Sequence, residues 1–440
     1  MGKNLPLIVT IFQYLIFSLR YIAFYTVKII KGWWWLIFTL LLIKPFIYLY
    51  LFYIEEKWFA KKVKYILLEI KLPKEIEKPL KAMEEVMAGL HAIHDVFDRR
   101  EVWMEGKFLL SISFEIVSDG GDIHFYIWAP EVYRDLVESN IYAQYPDVEI
   151  SKVDDYTKRI PHNIPNGEWD LFGFDQITTK SNPYPIKTYK QFEEVIQTKE
   201  EKRIDPLSGF LEAMATLKPG EYLWYQIIAK PIREEIPWRK QGLALVDKLV
   251  KRPGPAKQKS IIGSVSDLLL KGKPPETAKE EEKQNVFVSF PEMMLTPGER
   301  EIVKGIEDKI AKFGYECVVR FLYLGKKPAF FKPHARMPFG FFKEVSSESM
   351  NGLKPWSKTI PKVHNSFLEK RRVYRRKRKL FKAYCRRIPT LWPRKIGTYV
   401  FNTEELVTLF HFPGKTVAPA PTIRRIESKK REPPSILPKE

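Results

Sequence analysis

The stretch 108–128, FLLSISFEIVSDGGDIHFYIW, decides the fold because two alternating segments flank a tight turn. A strand is predicted over residues 107–118, because one face of it is apolar, with Leu110, Ile112, Phe114 and Ile116. The opposite face is polar, with Ser111, Ser113 and Glu115. Asp119-Gly120-Gly121-Asp122 supplies the turn, since glycine adopts the positive φ angles that tight turns require. Residues 123–128 alternate again, so the stretch predicts a β-hairpin.

Helical segments surround this hairpin. A helix is predicted over 80–97, because apolar residues recur there at three- and four-residue spacing: Leu80, Met83, Met87, Leu90, Ile93 and Phe97. Pro130 begins a second helix that extends to about Gln144, and residues 148–153 close the unit as a strand. We therefore expect residues 65–200 to form a first α+β module in the order helix-β-β-α-β. Its extra strands are expected at 169–174 and around 184–189.

The same order of elements recurs in residues 201–414, which we expect to form a second module. A helix begins at Asp205, a strand follows at 222–232, and its hairpin partner is expected at 285–290. A helix at 296–313 and a closing strand at 316–324 complete the copy. Thr296, Pro297 and Glu299 fit a helix N-terminus with a capping box, and Gly314 fits a left-handed residue after the helix.

The predicted fold class is α+β, with N-terminal transmembrane helices followed by two ferredoxin-like modules. The second module carries a long insertion, 233–284, with one amphipathic helix at 238–250, and a final β–α element at 397–401 and 403–411. After Pro413 the chain becomes rich in proline and charge. Residues 415–440 are therefore expected to form an extended tail.

The N-terminal region, residues 1–64, predicts a membrane anchor of one or two helices. The segment 32–54, GWWWLIFTLLLIKPFIYLYLFYI, is long enough to cross a hydrocarbon core of about 30 Å and has aromatic residues at both ends. An earlier apolar stretch, 5–19, continues past Arg20 to Val27 and fits a second span. A cleaved signal peptide is the alternative, but no small-residue cleavage site follows.

Two spans with both ends in the cytoplasm are the topology that we prefer. Lysines just after the apolar region favour a cytoplasmic body, and they are Lys57, Lys61, Lys62 and Lys64. The chain has only two cysteines, Cys317 and Cys385, far apart in sequence, which fits a reducing compartment and excludes a disulfide framework.

No local pattern predicts catalysis, a cofactor or a metal. Gly414-Lys415-Thr416 looks like the end of a P-loop, but the earlier glycine is missing and prolines follow where a helix is needed. His91 and His94, with Asp95 and Asp98 nearby, lack the HExxH pattern of a zinc site, so we interpret them as ordinary polar side chains. We expect a protein that is not an enzyme.

The strongest electrostatic feature is the basic segment 370–387, KRRVYRRKRKLFKAYCRR, in a chain with a formal net charge of +20. Eleven of its eighteen residues are cationic and none is acidic: Lys370, Arg371, Arg372, Arg375, Arg376, Lys377, Arg378, Lys379, Lys382, Arg386 and Arg387. These charges would attract the phosphates of nucleic acid, and the interleaved aromatic residues could stack on its bases. Anionic lipid is an equally physical partner, and a basic helix that packs its apolar residues on the sheet is the simplest interpretation.

Several stretches resemble the membrane-proximal part of type IV secretion or conjugative DNA-transfer ATPases of small-genome uncultured bacteria. They are 108–150, 205–231 with its LKPGEYLWYQIIAKP, 401–413 (FNTEELVTLFHFP), 427–430 and 433–434. In that family the proline pair leads into a P-loop motor, whereas this chain has no Walker A or Walker B pattern. The resemblance implies a domain of unknown function without its motor.

We therefore expect a non-catalytic membrane subunit of a conjugation- or secretion-like apparatus that docks a separate motor ATPase. A stand-alone, membrane-tethered nucleic-acid-binding protein is the alternative, and a membrane enzyme with an unrecognised site is a third. Membrane lipid, a P-loop motor, DNA and further copies of the chain are the partners that these interpretations name.

Overall fold

The computed structural model describes residues 5–73, 76, 78–193, 205–232, 238–250, 295–363, 368–392, 396–414 and 425–426. The expected strand at 285–290, most of the predicted insertion, and the tail at 415–440 apart from 425–426 lie outside these residues. The chain divides into two compact units. One comprises Met1–Val63 and Phe97–Phe108, and the other, the body, comprises Lys64–Val96 and Leu109–Glu440.

The first unit is built on helix α1, Leu5–Lys62, and a short π-helix, Glu101–Glu105. The segment Phe17–Phe59 of α1 is long and apolar enough to cross a membrane. The structure has one continuous helix where we preferred two spans. Leucine, isoleucine and lysine have good to moderate helix propensity, and the single glycine, Gly32, costs only about 1 kcal/mol, so nothing forces a turn there. At about 1.5 Å per residue, the 58-residue helix is about 87 Å long, well beyond one hydrocarbon core.

The body is a mixed α and β structure built on one sheet. Its antiparallel strands are β1 Tyr65–Pro73, β2 Ile112–Asp119, β3 Asp122–Pro130, β4 Glu149–Val153, β5 Trp169–Thr178, β6 Glu221–Pro231, β7 Gly314–Lys326, β8 Leu353–Pro355 and β9 Tyr399–Asn402. A two-residue strand, β10 Arg425–Ile426, pairs parallel with the end of β1. Its helices are α2 Leu80–Leu90, α3 Arg134–Gln144, α4 Tyr189–Glu193, α5 Ser208–Ala215, α6 Trp238–Val250, α7 Pro297–Ala311, α8 Met337–Glu344, α9 Glu369–Cys385 and α10 Thr403–Leu409.

The sheet order is β4-β1-β3-β2-β6-β7-β5-β8. It divides into two halves that meet where β2 pairs with β6. The first half runs β1-α2-β2-β3-α3-β4 and the second runs β5-α5-β6-β7-α8-β8. Each half has four strands. Counted along the chain, its fourth strand lies at the outer edge of the sheet, and the first, third and second strands follow toward the centre. The halves therefore share one strand order, and they join edge to edge into one continuous sheet.

This arrangement confirms the predicted hairpin and corrects other expectations. Gly120 and Gly121 have φ angles of 60° and 99°, as the tight turn requires. Strand β1 was not expected, and β5 pairs with β7 and β8 in the second half instead of extending the first. No strand forms at 184–189. The hairpin partner of β6 is β7 itself, so α6 and α7 both belong to the insertion between them.

Strand β7 occupies the middle of the second half. One edge pairs with β6 along eleven residues, while the other edge pairs first with β9 and then with β5. The predicted capping box at the start of α7, the helix that precedes β7, is confirmed, since Thr296 and Glu299 exchange both hydrogen bonds. Gly314, however, is the first residue of β7 and not a left-handed helix end. A Cβ there would lie 2.8 Å from the ring of Trp238, so close packing explains the glycine.

Each face of the sheet carries its own apolar cluster. Helices α2, α3, α5, α8 and α10 cover the first face, where the core includes Met83, Ile141, Leu211, Phe341 and Leu406. Helix α9 and the turn that begins at Tyr156 cover the second face, where the core includes Trp224, Leu322, Leu380, Phe381 and Tyr384. Strands buried on both faces do not show a polar, solvent-facing side. This two-sided cover is why β7 is almost entirely buried.

A buried ion pair connects α5 with the segment after α10. His411 Nε2 lies 2.8 Å from Asp205 Oδ1, and His411 Nδ1 lies 2.7 Å from the carbonyl oxygen of Val407. Burial alone would lower the pKa of His411, but the charge of Asp205 and its hydrogen bond leave that pKa above its usual 6.5. Burial would raise the pKa of Asp205, and the charge of His411 lowers it overall.

This pair predicts a pH dependence of stability. A raised His411 pKa contributes stability that is complete below 6.5 and is lost as the pH rises through the folded-state value. A lowered Asp205 pKa contributes stability above 3.8 that is lost as the pH falls through its folded-state value. His411→Asn should therefore lower the free energy of unfolding at pH 6 by about 3 kcal/mol and flatten its decline above that pH.

Urea unfolding of the full chain in detergent, followed by tryptophan fluorescence between pH 5 and 9, measures this effect. His162→Asn is the matched control, since His162 is exposed. A His411→Asn profile parallel to that of the wild type would contradict the prediction.

Candidate polyanion-binding site

Helix α9 presents two different faces. Its sequence is rich in arginine and lysine, which are good helix formers, and its apolar residues recur at three- and four-residue spacing. The buried residues are Leu380, Phe381, Ala383 and Tyr384. Tyr384 and Phe381 pack against Trp224 of β6, with ring centroids 5.4 Å and 6.4 Å apart. The apolar face therefore attaches α9 to the second face of the sheet.

A row of polar side chains crosses the sheet beneath α9. Asp175, Arg320, Gln226 and Glu115 are direct cross-strand neighbours on β5, β7, β6 and β2. Arg320 Nε donates to Gln226 Oε1 at 2.7 Å, and Gln226 Nε2 donates to Glu115 Oε1 at 2.6 Å. All four residues are buried. Buried polar groups are costly without partners, so the carboxylate at the end of this row needs a counter-charge from the segment that covers the sheet.

Arg320 also holds the end of α9. Its Nη2 donates to the carbonyl oxygen of Ala383 at 3.1 Å, and its Nη1 donates to that of Ile388 at 2.8 Å. Carbonyls at a helix C-terminus lack intrahelical partners and carry partial negative charge, which a guanidinium stabilises. Burial lowers the pKa of Arg320, with the neighbouring Asp175 acting in the opposite direction. Arg320 was not among the residues that the sequence singled out.

Arg387, expected at a binding surface, lies inside the body instead. Its Nε donates to Glu115 Oε1 at 2.9 Å, its Nη1 donates to Asp155 Oδ2 at 2.6 Å, and its side chain is only 1% exposed. Burial alone would lower the pKa of Arg387, but the carboxylates, Glu115 first, leave it above its usual value. Its φ of 52° is unusual for arginine, so the backbone is strained to place this side chain. Arg387 is a structural residue here.

Two further cations of the basic segment are engaged within the fold. Arg376 Nη1 donates to the carbonyl oxygens of Ile360 and Lys362 at 2.9 and 3.0 Å. Lys377 Nζ lies 2.6 Å from Asp170 Oδ1. The structure exposes the remaining predicted residues, which are Lys370, Arg371, Arg372, Arg375, Arg378, Lys379, Lys382 and Arg386.

The exposed cations converge on a cleft of about 340 Å³ between α9 and the turn that follows it. Five cations line it, which are Arg375, Arg378, Lys379, Lys382 and Arg386. The rest of the lining is Ala383 and the turn residues Ile388, Pro389, Thr390 and Trp392. No carboxylate lines the cleft. The hydroxyl of Thr390 is buried beside the carboxylate of Asp175, so it belongs to the polar row beneath α9 and not to the open surface of the cleft. The cleft thus combines positive charge with an indole ring.

Such a lining suits a phosphate-bearing ligand. Arginine forks and lysine ammonium groups form charge-assisted hydrogen bonds with phosphate oxygens, and an indole ring offers a surface on which a base can stack. The residues that line the cleft include no carboxylate, histidine or cysteine. Sequence reasoning found the cations but missed Thr390 and Trp392. Pro389 was the available signal, since it begins the turn that carries both residues, in which the amide of Trp392 donates to the carbonyl oxygen of Pro389 at 2.9 Å.

The other residues considered from the sequence lie elsewhere. His91 and His94 are partly buried, and their rings stack with centroids 5.8 Å apart, while His91 also packs on Phe313. Among the described residues, no group of three His, Cys, Asp or Glu side chains could hold a metal ion. Lys415 and Thr416 of the P-loop-like tripeptide lie outside the described residues.

Comparison with known proteins does not connect the cleft to a characterised site. No protein-family model matches this sequence, and no curated protein is significantly similar to it.

The buried position of Arg387 predicts a large effect on stability. Arg387→Gln would leave Glu115 buried without its counter-charge, and breaking a buried ion pair in this way costs about 3–5 kcal/mol. Arg375→Gln removes the same charge from an exposed position on α9, so it should change the free energy of unfolding by about 0.5 kcal/mol or less. Denaturant unfolding in detergent measures both. Similar values for the two variants would contradict the structural role of Arg387.

Proposed function

We propose that this protein is a membrane-anchored, non-enzymatic nucleic-acid-binding protein whose α9 cleft holds the phosphate backbone. One observation carries the proposal. Inward cations of the basic segment pair with carboxylates of the fold, while five exposed cations line one cleft whose lining residues include no carboxylate. A helix needed only for packing would not require this outward charge.

The length of the basic face supports a polymeric ligand. From Arg371 to Arg386 the helix axis spans about 22 Å, and a nucleic-acid strand carries a phosphate about every 3.4 Å of duplex axis. Exposed cations therefore extend over several successive phosphates. The indole of Trp392 adds a contact that suits a nucleotide base at one position in the cleft. An anionic lipid headgroup would use the charges but has no aromatic base to stack.

The remainder of the chain supports an anchored scaffold. Helix α1 includes a segment long and apolar enough to cross a bilayer, and we propose that it holds the body on the cytoplasmic side. The two halves of the sheet share the split β-α-β strand order, which supports their classification as ferredoxin-like modules. Its resemblance to the DNA-transfer ATPases would place such a scaffold in a conjugation- or secretion-like apparatus, beside a P-loop motor.

Salt dependence of DNA binding tests the proposal. The full chain in neutral-lipid nanodiscs is titrated with a labelled single-stranded oligonucleotide and with its duplex, over a range of salt concentrations. Replacing Arg375, Arg378, Lys379 and Lys382 with Gln removes four phosphate contacts. The slope of log K against log salt should therefore become shallower by about 3–4.

A matched control removes four exposed lysines from other helices of the body, which are Lys240, Lys248, Lys304 and Lys343. This variant has the same net charge but an intact cleft, so its slope should stay near that of the wild type. Equal changes in both variants would reduce the effect to net charge and contradict the cleft as the site. Loss of DNA binding when anionic lipid is added to the nanodiscs would favour the headgroup as the ligand.

A further inference from the structure

Residues 97–108, here called the juxtamembrane loop, expose large apolar side chains. Trp103 is 43% exposed and Met104 is 69% exposed, although both belong to a short, ordered π-helix. Exposed single apolar residues are common, but an adjacent tryptophan and methionine on one turn are a concentrated apolar surface. Arg99 and Arg100, immediately before this turn, are also exposed. The loop therefore presents apolar and cationic side chains together.

The loop is fastened to the end of the apolar part of α1. The hydroxyl of Tyr50 donates to the carbonyl oxygen of Trp103 at 3.0 Å. The ring of Phe108 lies 5.4 Å from that of Trp58 and 5.9 Å from that of Phe59. These α1 residues lie within or at the end of Phe17–Phe59, the segment that could cross a membrane. The loop is consequently held alongside the last ten residues of that segment, a length of about 14 Å.

A glycine permits this close contact. Gly106 has a φ of 75°, and a Cβ there would lie 2.4 Å from the carbonyl oxygen of Ile54. Any other residue would force the loop away from α1 and would also be strained at this φ. Gly106 therefore sets the distance between the loop and the helix.

The polar groups of the loop are largely satisfied within it. The amide of Lys107 donates to the carbonyl oxygen of Glu101 at 3.1 Å, and the amide of Asp98 donates to Glu101 Oε2 at 2.9 Å. Lys107 Nζ lies 2.6 Å from Glu101 Oε1 and 3.3 Å from Glu105 Oε2. A backbone whose hydrogen bonds are made internally loses less when it leaves water for an interface of lower polarity. The loop thus has the properties of an interfacial element.

We infer that the juxtamembrane loop lies in the lipid headgroup layer, with Trp103 and Met104 inserted toward the acyl chains and Arg99 and Arg100 contacting anionic headgroups. Tryptophan is enriched at this level because its ring is apolar while its N–H bonds to water or headgroups. Cations near the surface of an anionic membrane gain about 1 kcal/mol each. The inference rests on the proposed anchoring by α1, and it adds a second membrane contact that sets the depth of that helix.

A lipid surface fits the loop better than a protein partner does. The exposed apolar residues continue the apolar surface of α1, whose most apolar stretch within Phe17–Phe59 contains no buried residue. Lys57, Lys61 and Lys62 place further exposed cations at the same end of the helix. An apolar band bordered by cations is the pattern of a membrane boundary. Continuity with a membrane helix, together with this charge, therefore selects lipid as the occupant.

Depth-dependent quenching tests the inference with the full chain in vesicles that contain anionic lipid. A fluorescent label is attached to Met104→Cys, to Leu40→Cys within α1, or to Glu301→Cys on the exposed face of α7. The two native thiols react poorly, because burial raises the pKa of Cys385 to about 12 and that of Cys317 well above its usual value. Lipids with a nitroxide near the headgroup or deep in the acyl chain then serve as quenchers.

We expect the headgroup quencher to reduce fluorescence strongly at position 104, the deep quencher to act at position 40, and neither to act at position 301. Quenching at 40 without quenching at 104 would overturn the loop contact while leaving the anchor intact. No quenching at 40 or 104 would overturn both the loop contact and the anchor. Gly106→Val should pull the loop from α1 and lower quenching at 104 without changing that at 40, and unchanged quenching at 104 would contradict the role of Gly106.

Discussion

The buried ion pair between Glu115 and Arg387 is the interaction on which the second face of the body depends. Glu115 belongs to the polar row of the sheet, and Arg387 follows α9, so this contact fixes the helix in one register on the strands. A slide of one helical turn would leave a carboxylate and a guanidinium without partners in a region of low polarity, which is costly. Arg320 acts from the other side, where it satisfies the last carbonyls of the helix.

This fixed register places the charges of the basic segment in two different surroundings. Eleven cations on one short segment repel one another, and the fold reduces that repulsion where it can, through Glu115, Asp155 and Asp170. Those carboxylates all lie on the sheet side of the helix or beside it. The lining of the cleft, on the outward side, includes five cations and no carboxylate. The positions of the acidic residues therefore give the two faces of one helix different electrostatic surroundings.

Local patterns in the sequence predicted the local structure. The hairpin glycines, the capping box at Thr296 and the amphipathic α2 depend on residues a few positions apart, and each was found, although α2 ends at Leu90 and not at the expected Phe97. Glu115 shows where that reasoning ends. It alternates with apolar neighbours and so looked like a solvent-facing residue, yet α9 covers it from a position more than 250 residues later in the chain. The pairing of β5 with β7 and the burial of Arg387 likewise depend on contacts between residues that are far apart in the sequence.

The two faces of the sheet also differ in which parts of the chain they bring together. Asp205 and His411 form a buried ion pair, and Tyr225 donates to the carbonyl oxygen of Leu409. Both contacts lie with the helices of the first face, and helix α9 takes part in neither. The contacts that stabilise the first face therefore do not decide what the cleft could bind, and any ligand there would be selected by the cations of α9.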